Sequence, residues 1–229
     1  TELALTLAGN LTITDVALGG KNDNLTLTAD IEHDRLTIYD PTAILSVSGF
    51  SNSTVSNDCH TVEVALSEIT AFEVLVDTQD GDDLLTLDYS QGENPLAVQF
   101  NGGTKLEADF LELTGNTFST ADYLLTNVRE GTISIAGNGS VRYENVEQVT
   151  DNLTIDDRQF VFAAGSEAIT LNEANGLNQL QYEVGGTPSE LLEFTTPTNA
   201  LTVNAGDGDD ILDLQGTAPD FTASLSIYG

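Results

Sequence analysis

The chain is close to two copies of one unit. Residues 4–10 (ALTLAGN) align with residues 132–138 (TISIAGN) at a displacement of 128. Residues 76–87 (VDTQDGDDLLTL) align with residues 203–214 (VNAGDGDDILDL) at a displacement of 127. Because separate matches share nearly the same displacement, the sequence predicts a tandem duplication, and repetition of this kind is typical of repeat architectures.

The length of the unit indicates that each copy contains several structural turns. One repeat of a solenoid typically takes about 20 to 45 residues, and this unit is near 127 residues long. We predict a first unit at residues 1–128 and a second, truncated unit at residues 129–229. The two units are expected to form one continuous elongated β domain.

Short runs of alternating apolar and polar residues recur through both units. Alternation with many β-branched residues predicts half-buried β-strands, and Gly, Asn, Asp and Ser between the runs predict turns. The runs are LTITD at 11–15, LTLTAD at 25–30, LTIYD at 36–40, ILSVSG at 44–49, LLTLD at 84–88, LAVQF at 96–100, FLELTG at 110–115, TISIAG at 132–137, ITLNE at 169–173 and LTVNAG at 201–206. Residues 67–75 and 188–194 fit either a helical turn or a strand.

Two all-β architectures fit this pattern. One is a parallel β-solenoid, or β-helix, in which successive turns stack around an apolar interior. The other is a pair of tandem antiparallel β-sandwiches, which would show the same strand spacing. The absence of Trp and Met and the scarcity of Asn-Gly hairpin turns favour the solenoid.

The charge of the chain restricts its partners. Six Lys and Arg residues stand against 37 Asp and Glu residues, so the net charge is −31. Such a surface repels nucleic acid and anionic lipid, and cations are its natural partners. An apolar content of 40% is too high for a disordered acidic tail. The apolar runs are also shorter than the roughly 18 residues that a membrane-spanning helix needs.

Acidic residues are most concentrated in two corresponding turns, QDGDD at 79–83 and GDGDD at 206–210. Two carboxylates about 5 Å apart repel by roughly 3 kcal/mol at an effective dielectric of about 20, so the turns need compensation. Calcium, which prefers carboxylate and carbonyl oxygens, would supply it. The alternative is that the aspartates face water and cap the turn without an ion. The predicted metal ligands are Asp80, Asp82, Asp83, Asp207, Asp209 and Asp210.

The second acidic turn resembles the RTX nonapeptide G-G-x-G-x-D-x-U-x of calcium-binding β-rolls. Gly206 and Gly208 match its second and fourth positions, Asp210 its acidic ligand and Leu212 its buried strand residue, whereas Ala205 replaces the first glycine. The resemblance implies a calcium turn. Since each unit contains one such turn and a β-roll requires tandem nonapeptides, it does not imply the β-roll itself.

The first acidic turn departs further from the same nonapeptide. Gly81, Asp83 and Leu85 match, while Thr78 and Gln79 replace both leading glycines. An isolated acidic turn followed by a strand, within a long duplicated unit, is similar to the repeat segments of very large bacterial cell-surface proteins. That resemblance implies an extracellular, cell-surface location.

A carbohydrate-binding or polysaccharide-lyase-like β-helix is the competing interpretation. A lyase would use an arginine base, and Arg35 and Arg158 occupy equivalent positions in the repeat, each after an aspartate. Duplicated residues indicate structural ion pairs, since one active site needs no copy. The aromatic residues that could contact glycans are Tyr39, Phe50, Tyr143, Phe160, Phe162 and Tyr182.

The remaining reactive side chains indicate neither an enzyme nor a zinc site. Cys59 and His60 are adjacent, so on a strand they would point to opposite faces and could not act as a nucleophile and its base. His33 and His60 are the only histidines, and neither has a partner at zinc-ligand spacing. With a single cysteine, no internal disulfide can form.

The sequence as a whole predicts a structural role rather than catalysis. We expect a calcium-stabilised extracellular repeat segment that acts as a spacer, a surface-layer component, a subunit of a filament or fibre, or an adhesin. Strand patterns run to both ends of the chain without polar caps, which favours head-to-tail self-association or continuation in a longer array. Calcium and glycans are the candidate ligands.

Overall fold

A computed structural model describes residues 2–16, 21–103, 108–163 and 165–229. These residues contain one 3-10 turn, Leu66–Glu68, and no α-helix. The strands are β1 (Glu2–Ala8), β2 (Asn10–Asp15), β3 (Asn24–Asp30), β4 (Arg35–Tyr39), β5 (Ile44–Ser48), β6 (Ser53–Ser56), β7 (Thr61–Ala65), β8 (Glu73–Asp77), β9 (Leu84–Asp88), β10 (Ala97–Asn101), β11 (Phe110–Thr114), β12 (Thr117–Asn127), β13 (Glu130–Ile135), β14 (Val141–Glu144), β15 (Gln148–Asp151), β16 (Thr154–Phe162), β17 (Glu167–Ala174), β18 (Leu177–Val184), β19 (Thr187–Pro188), β20 (Leu191–Phe194), β21 (Ala200–Asn204), β22 (Ile211–Leu214) and β23 (Ser224–Tyr228).

The all-β prediction is confirmed. Each of the ten alternating runs coincides with a strand. The residues alternate because successive side chains of a strand point to opposite faces, one buried and the other facing solvent. Of the two ambiguous segments, residues 67–75 contain part of the 3-10 turn and the start of β8. Residues 188–194 contain the end of β19 and all of β20. In the part of the chain that the structure describes, no helix has the length and apolar content to cross a membrane.

The strands form two large sheets, each of which includes strands from both predicted units. Sheet A has the order β5-β1-β2-β8-β10-β14-β13-β12-β16-β21-β23. Sheet B has the order β6-β7-β4-β3-β9-β11-β15-β20-β18-β17-β22, with β19 paired to β18.

Over the central part of the chain, successive strands alternate between the sheets. Strands β8, β9, β10 and β11 belong to sheets A, B, A and B in turn, and β10 and β11 pair in parallel with β8 and β9. Such parallel pairing requires a connection that leaves the sheet and returns, which the strand in the other sheet provides. Each pair of strands therefore lies directly beside the previous pair.

Both sheets are mixed rather than purely parallel. Antiparallel hairpins join β1 to β2, β3 to β4, β12 to β13 and β17 to β18. The turn between β17 and β18 contains Asn175 and Gly176, both with positive φ, as a tight hairpin requires. The hairpins add strands within one sheet before the chain crosses to the other.

The core consists of columns of like side chains that cross the paired strands. In sheet A, Val74 of β8 pairs with Leu11 of β2 and with Val98 of β10, which in turn pairs with Val141 of β14. All four are buried. A corresponding buried column crosses sheet B through residues Leu25, Leu85, Leu111, Val149 and Leu192. Since the polar residues alternate with these, they lie on the outer faces of the sheets.

Candidate functional site: the acidic turns

The two acidic turns occupy corresponding places in the fold. The first connects β8 in sheet A to β9 in sheet B, and the second connects β21 in sheet A to β22 in sheet B. Each turn therefore lies where the chain crosses from one sheet to the other, beside the segments that lead into neighbouring strands of sheet B.

We call a segment in which the chain passes from one sheet to the other a crossing. In the first turn, Asp83 is buried and forms hydrogen bonds with the two adjacent crossings. Its Oδ1 accepts the Asp23 backbone N–H at 2.8 Å, and its own N–H donates to Asp109 Oδ1 at 3.0 Å. Asp82 is exposed, and its Oδ1 accepts the Ala108 N–H at 3.0 Å. Asp80 is half-buried. Thus the carboxylates of Asp82 and Asp83 accept hydrogen bonds from the backbone amides of neighbouring crossings.

In the second turn, Asp210 forms the link that corresponds to the one made by Asp83. Its Oδ1 accepts the Glu167 backbone N–H at 3.0 Å. The Asp209 N–H donates to Ser166 Oγ at 3.2 Å, and the Asp207 carbonyl accepts the Gly165 N–H at 3.0 Å. The side chains of Asp207 and Asp209 are exposed. Of the aspartates predicted in this turn, only Asp210 is partly buried.

Asp83 belongs to a row of four acidic residues, of which sequence reasoning missed the other three. Asp23, Asp83, Asp109 and Glu147 each immediately precede a strand of sheet B, and these strands are neighbours in the sheet. The row continues beyond Asp109 because the Asp109 N–H donates to Glu147 Oε2 at 2.8 Å. Glu147 in turn forms an ion pair with Arg129 at 2.8 Å. An acidic residue just before each of these four strands is the sequence signal that could have revealed this acidic row.

The acidic row perturbs the titration of its central member. Burial raises the pKa of Asp109 to about 7, and the carboxylates of Asp83 and Glu147 add to the rise. The hydrogen bond from the Asp83 N–H opposes this effect. Asp109 therefore holds a proton more readily than a solvated aspartate does, which lowers the negative charge that the row must accommodate.

Glu167 is a further acidic residue absent from the predicted ligand set. It begins β17, and its side chain is 6% exposed. Burial raises the pKa of Glu167, as does contact with the carboxyl group of Asp210. Within the described ranges, no group of three or more His, Cys, Asp and Glu side chains is arranged to hold a metal ion.

The arginines predicted to form structural ion pairs do so, but in different surroundings. Arg158 is buried between the sheets and pairs with Asp151 at 2.7 Å. Arg35 is partly exposed and pairs with Asp30 at 3.1 Å and with Glu63 at 3.3 Å. Their strands, β16 and β4, belong to sheets A and B respectively, so the two positions are not equivalent in the fold.

The aromatic residues proposed as glycan contacts lie mostly in the core. Tyr143, Phe160, Phe162 and Tyr182 are buried, whereas Phe50 is partly buried and Tyr39 is 37% exposed. These side chains therefore form no exposed aromatic row.

The remaining reactive side chains lie in turns. Cys59 is exposed in the turn between β6 and β7. The neighbouring His60 Nδ1 lies 2.7 Å from the Ala43 carbonyl oxygen. The other histidine, His33, contacts Asp30, with 2.8 Å between Nδ1 and Oδ2. The partner of His33 thus lies three residues before it in the chain, whereas that of His60 lies in the segment between β4 and β5.

Comparison of the chain with models of protein families, with curated proteins and with solved structures finds no match in any of the three.

Proposed function

We propose that this chain is a structural segment of an extracellular repeat protein, acting as a stiff spacer or as a subunit of a surface layer or fibre. The observation that carries the proposal is the in-register parallel pairing of strands that alternate between two sheets. In this interpretation the two sheets are the faces of a flattened β-solenoid, and the hairpins are insertions into its turns. Such an arrangement grows in one direction, because each turn contacts only its neighbours.

The proposed role depends on stiffness along the direction in which the strands stack. Neighbouring strands are about 4.8 Å apart, so eleven of them extend about 50 Å, whereas the stacked sheets lie about 10 Å from each other. Bending such a body would break backbone hydrogen bonds in both sheets and disturb the packed columns between them. The geometry therefore suits a spacer better than an enclosed binding pocket.

The charge supports a role at a crowded surface. A net charge of −31 repels neighbouring molecules of the same kind at distances within about 8 Å, the Debye length at physiological salt. Divalent cations would reduce this repulsion. The resemblance of the acidic turns to calcium-binding turns supports the proposed cell-surface location.

Calcium binding at the acidic turns is part of the proposal. Within each acidic turn, oxygen atoms that could bind calcium come together from more than one crossing. Asp83 in the first turn and Asp210 in the second occupy corresponding positions. Extracellular calcium sites typically bind with dissociation constants of about 0.1 to 1 mM. Titration calorimetry with calcium on the chelator-treated chain tests this part, and the absence of a binding signal at millimolar calcium would contradict it.

Small-angle X-ray scattering tests the proposed shape. A compact body of this length has a radius of gyration near 17 Å, and a single stack is expected to exceed this value and to give an asymmetric distance distribution with a long tail. Dilution separates the shape of one chain from head-to-tail assembly, which would lengthen the particle as concentration rises. A symmetric distribution with a radius of gyration near 17 Å would contradict an elongated spacer.

A further inference from the structure

Glu167 combines burial with an unsatisfied polar atom. Its side chain is 6% exposed, and among the described residues Oε2 has no hydrogen-bond partner. A buried carboxylate oxygen without a donor is unfavourable, because the desolvation of the charge is not compensated. The position therefore requires a proton or a cation.

Asp210 places a second carboxyl group at the same position. Its Oδ1 accepts the Glu167 N–H at 3.0 Å. The two residues come from separate crossings, since Glu167 begins β17 and Asp210 precedes β22, its parallel neighbour. A ligand held by both would join the acidic turn to the adjacent strand of sheet B.

Two glycines leave room for oxygen atoms around the pair. A β-carbon at Gly165 would lie 2.3 Å from Glu167 Oε1. A β-carbon at Gly208 would lie 1.5 Å from the Gly165 carbonyl oxygen and 3.3 Å from Asp210 Oδ1. A side chain at Gly208 would clash with the main chain, whereas one at Gly165 would displace the Glu167 carboxyl group. The two carboxyl groups and the Gly165 carbonyl therefore lie in one small space.

We propose that Glu167 and Asp210 bind one calcium ion at the second acidic turn, with the Gly165 carbonyl as a neighbouring main-chain ligand. Calcium takes six to eight oxygen ligands and accepts carboxylates, carbonyls and water together. One divalent ion neutralises both carboxylates and gives Glu167 Oε2 a partner. The exposed Asp207 and Asp209, which the sequence pattern included, are not needed for this site.

The first acidic turn contains the same link between two acidic residues. The Asp23 N–H donates to Asp83 Oδ1 at 2.8 Å, as the Glu167 N–H does to Asp210, and both Asp23 and Asp83 are buried. Asp23 lies next to the first acidic turn, and Glu167 lies next to the second. The pair of carboxyl groups is thus a duplicated feature, and the second copy carries the longer glutamate.

Calcium titration of the whole chain by calorimetry tests the site with three variants. Glu167→Gln and Asp210→Asn are each expected to bind one ion fewer than the unmodified chain. Glu183→Gln removes an exposed charge from the neighbouring strand β18 and is expected to bind as the unmodified chain does. Asp210→Asn provides a second measurement should Glu167→Gln fail to fold, because Asp210 is only partly buried.

Thermal melts give a readout that a merely structural glutamate would not produce. In chelator, Glu167→Gln should melt at a higher temperature than the unmodified chain, because one of two adjacent carboxyl groups has been neutralised. In millimolar calcium the order should reverse, because only the unmodified chain retains the ion. An unchanged order would overturn the proposed site.

The inference rests on the proposed binding of calcium, and the experiments separate the two. If the unmodified chain binds no calcium, the site and the calcium proposal both fail, while the scattering test of the spacer stands. If it binds calcium and both variants bind it equally well, only the assignment to Glu167 and Asp210 fails.

Discussion

Arg158 is the largest fully buried side chain in the described part of the molecule. Its Nη2 donates to Asp151 Oδ2 at 2.7 Å, and its Nη1 donates to the Thr195 carbonyl. The guanidinium lies 5.1 Å from the centre of the Phe194 ring. Asp151 also accepts a hydrogen bond from the Tyr123 hydroxyl. The charge of Arg158 is therefore compensated in the interior, where an unpaired charge would be very unfavourable.

Replacement of Arg158 by Met should destabilise the fold strongly. It leaves the Asp151 carboxylate buried without its cation, and breaking such a pair costs about 3 to 5 kcal/mol. Arg35→Met is the matched control, and it should lower the free energy of unfolding by less than about 1 kcal/mol because Arg35 is partly exposed. Urea unfolding of both variants measures the difference. Equal losses would contradict the structural distinction between the two arginines.

Glu190 makes stability depend on pH. It is fully buried, accepts hydrogen bonds from the Tyr143 hydroxyl at 2.7 Å and from the Arg129 N–H at 2.8 Å, and burial raises its pKa. A raised pKa means that the folded state binds this proton more tightly than the unfolded state does. The contribution to stability is therefore complete below the unfolded pKa and is lost as pH rises through the folded pKa.

We expect Glu190→Gln to flatten the dependence of stability on pH. The unmodified chain should lose unfolding free energy as pH rises from about 4.3, the ordinary glutamate pKa, through the folded pKa. The amide of the variant does not titrate and should lose less. Chemical unfolding across this range checks the difference, with Glu183→Gln as an exposed control. Parallel pH profiles for Glu190→Gln and the unmodified chain would show that Glu190 does not contribute.

At the scale of elements, protection of a strand should follow its place in the sheet. Strand β9 lies between β3 and β11, whereas β6 pairs only with β7 at the edge of sheet B and all of its residues are exposed. Hydrogen exchange measures local opening. We expect the amides of β6 to exchange much faster than those of β9, with β11 as an equally protected control. Similar protection of β6 and β9 would indicate that another surface covers this edge.

Local alternation identified the strands but could not identify their partners. The run at residues 84–88 had to be a strand, because its apolar residues alternate, yet nothing within it indicates pairing with β3 on one side and β11 on the other. The resemblance of residues 23–27 (DNLTL) to residues 151–155 (DNLTI) would match Asp23 with Asp151. The hydrogen bonds instead give Asp23 and Glu167 the same role beside the acidic turns. Hairpins of different length shift the alignment between these positions.

The same limit applies to the candidate site. The density of aspartates and glycines predicts ligands only within the two acidic turns, among them Asp83 and Asp210, because so much like charge in one turn needs compensation. Asp109, Glu147 and Glu167 lie in other crossings, and only the stacking of strands brings them near the turns. Contacts over such distances along the chain are absent from local sequence patterns.

At the scale of the whole molecule, interior packing and net charge depend on different sets of residues. The apolar columns form the packed interior between the sheets, and the net charge of −31 sets the electrostatic field around the molecule. Arg158 and Glu190, two ionisable side chains that the core retains, both form hydrogen bonds. The exterior can therefore vary in charge without disturbing the packing.

The aligned columns also bear on how such a chain changes length during evolution. Val74, Val98 and Val141 present nearly the same side chain at the same height, as do Leu85 and Leu111 on the opposite wall. If the layer formed by β10 and β11 were lost, the surfaces brought together would already be complementary. A chain with this strand arrangement could therefore gain or lose whole layers of strands during evolution while the packing between neighbouring strands stays the same.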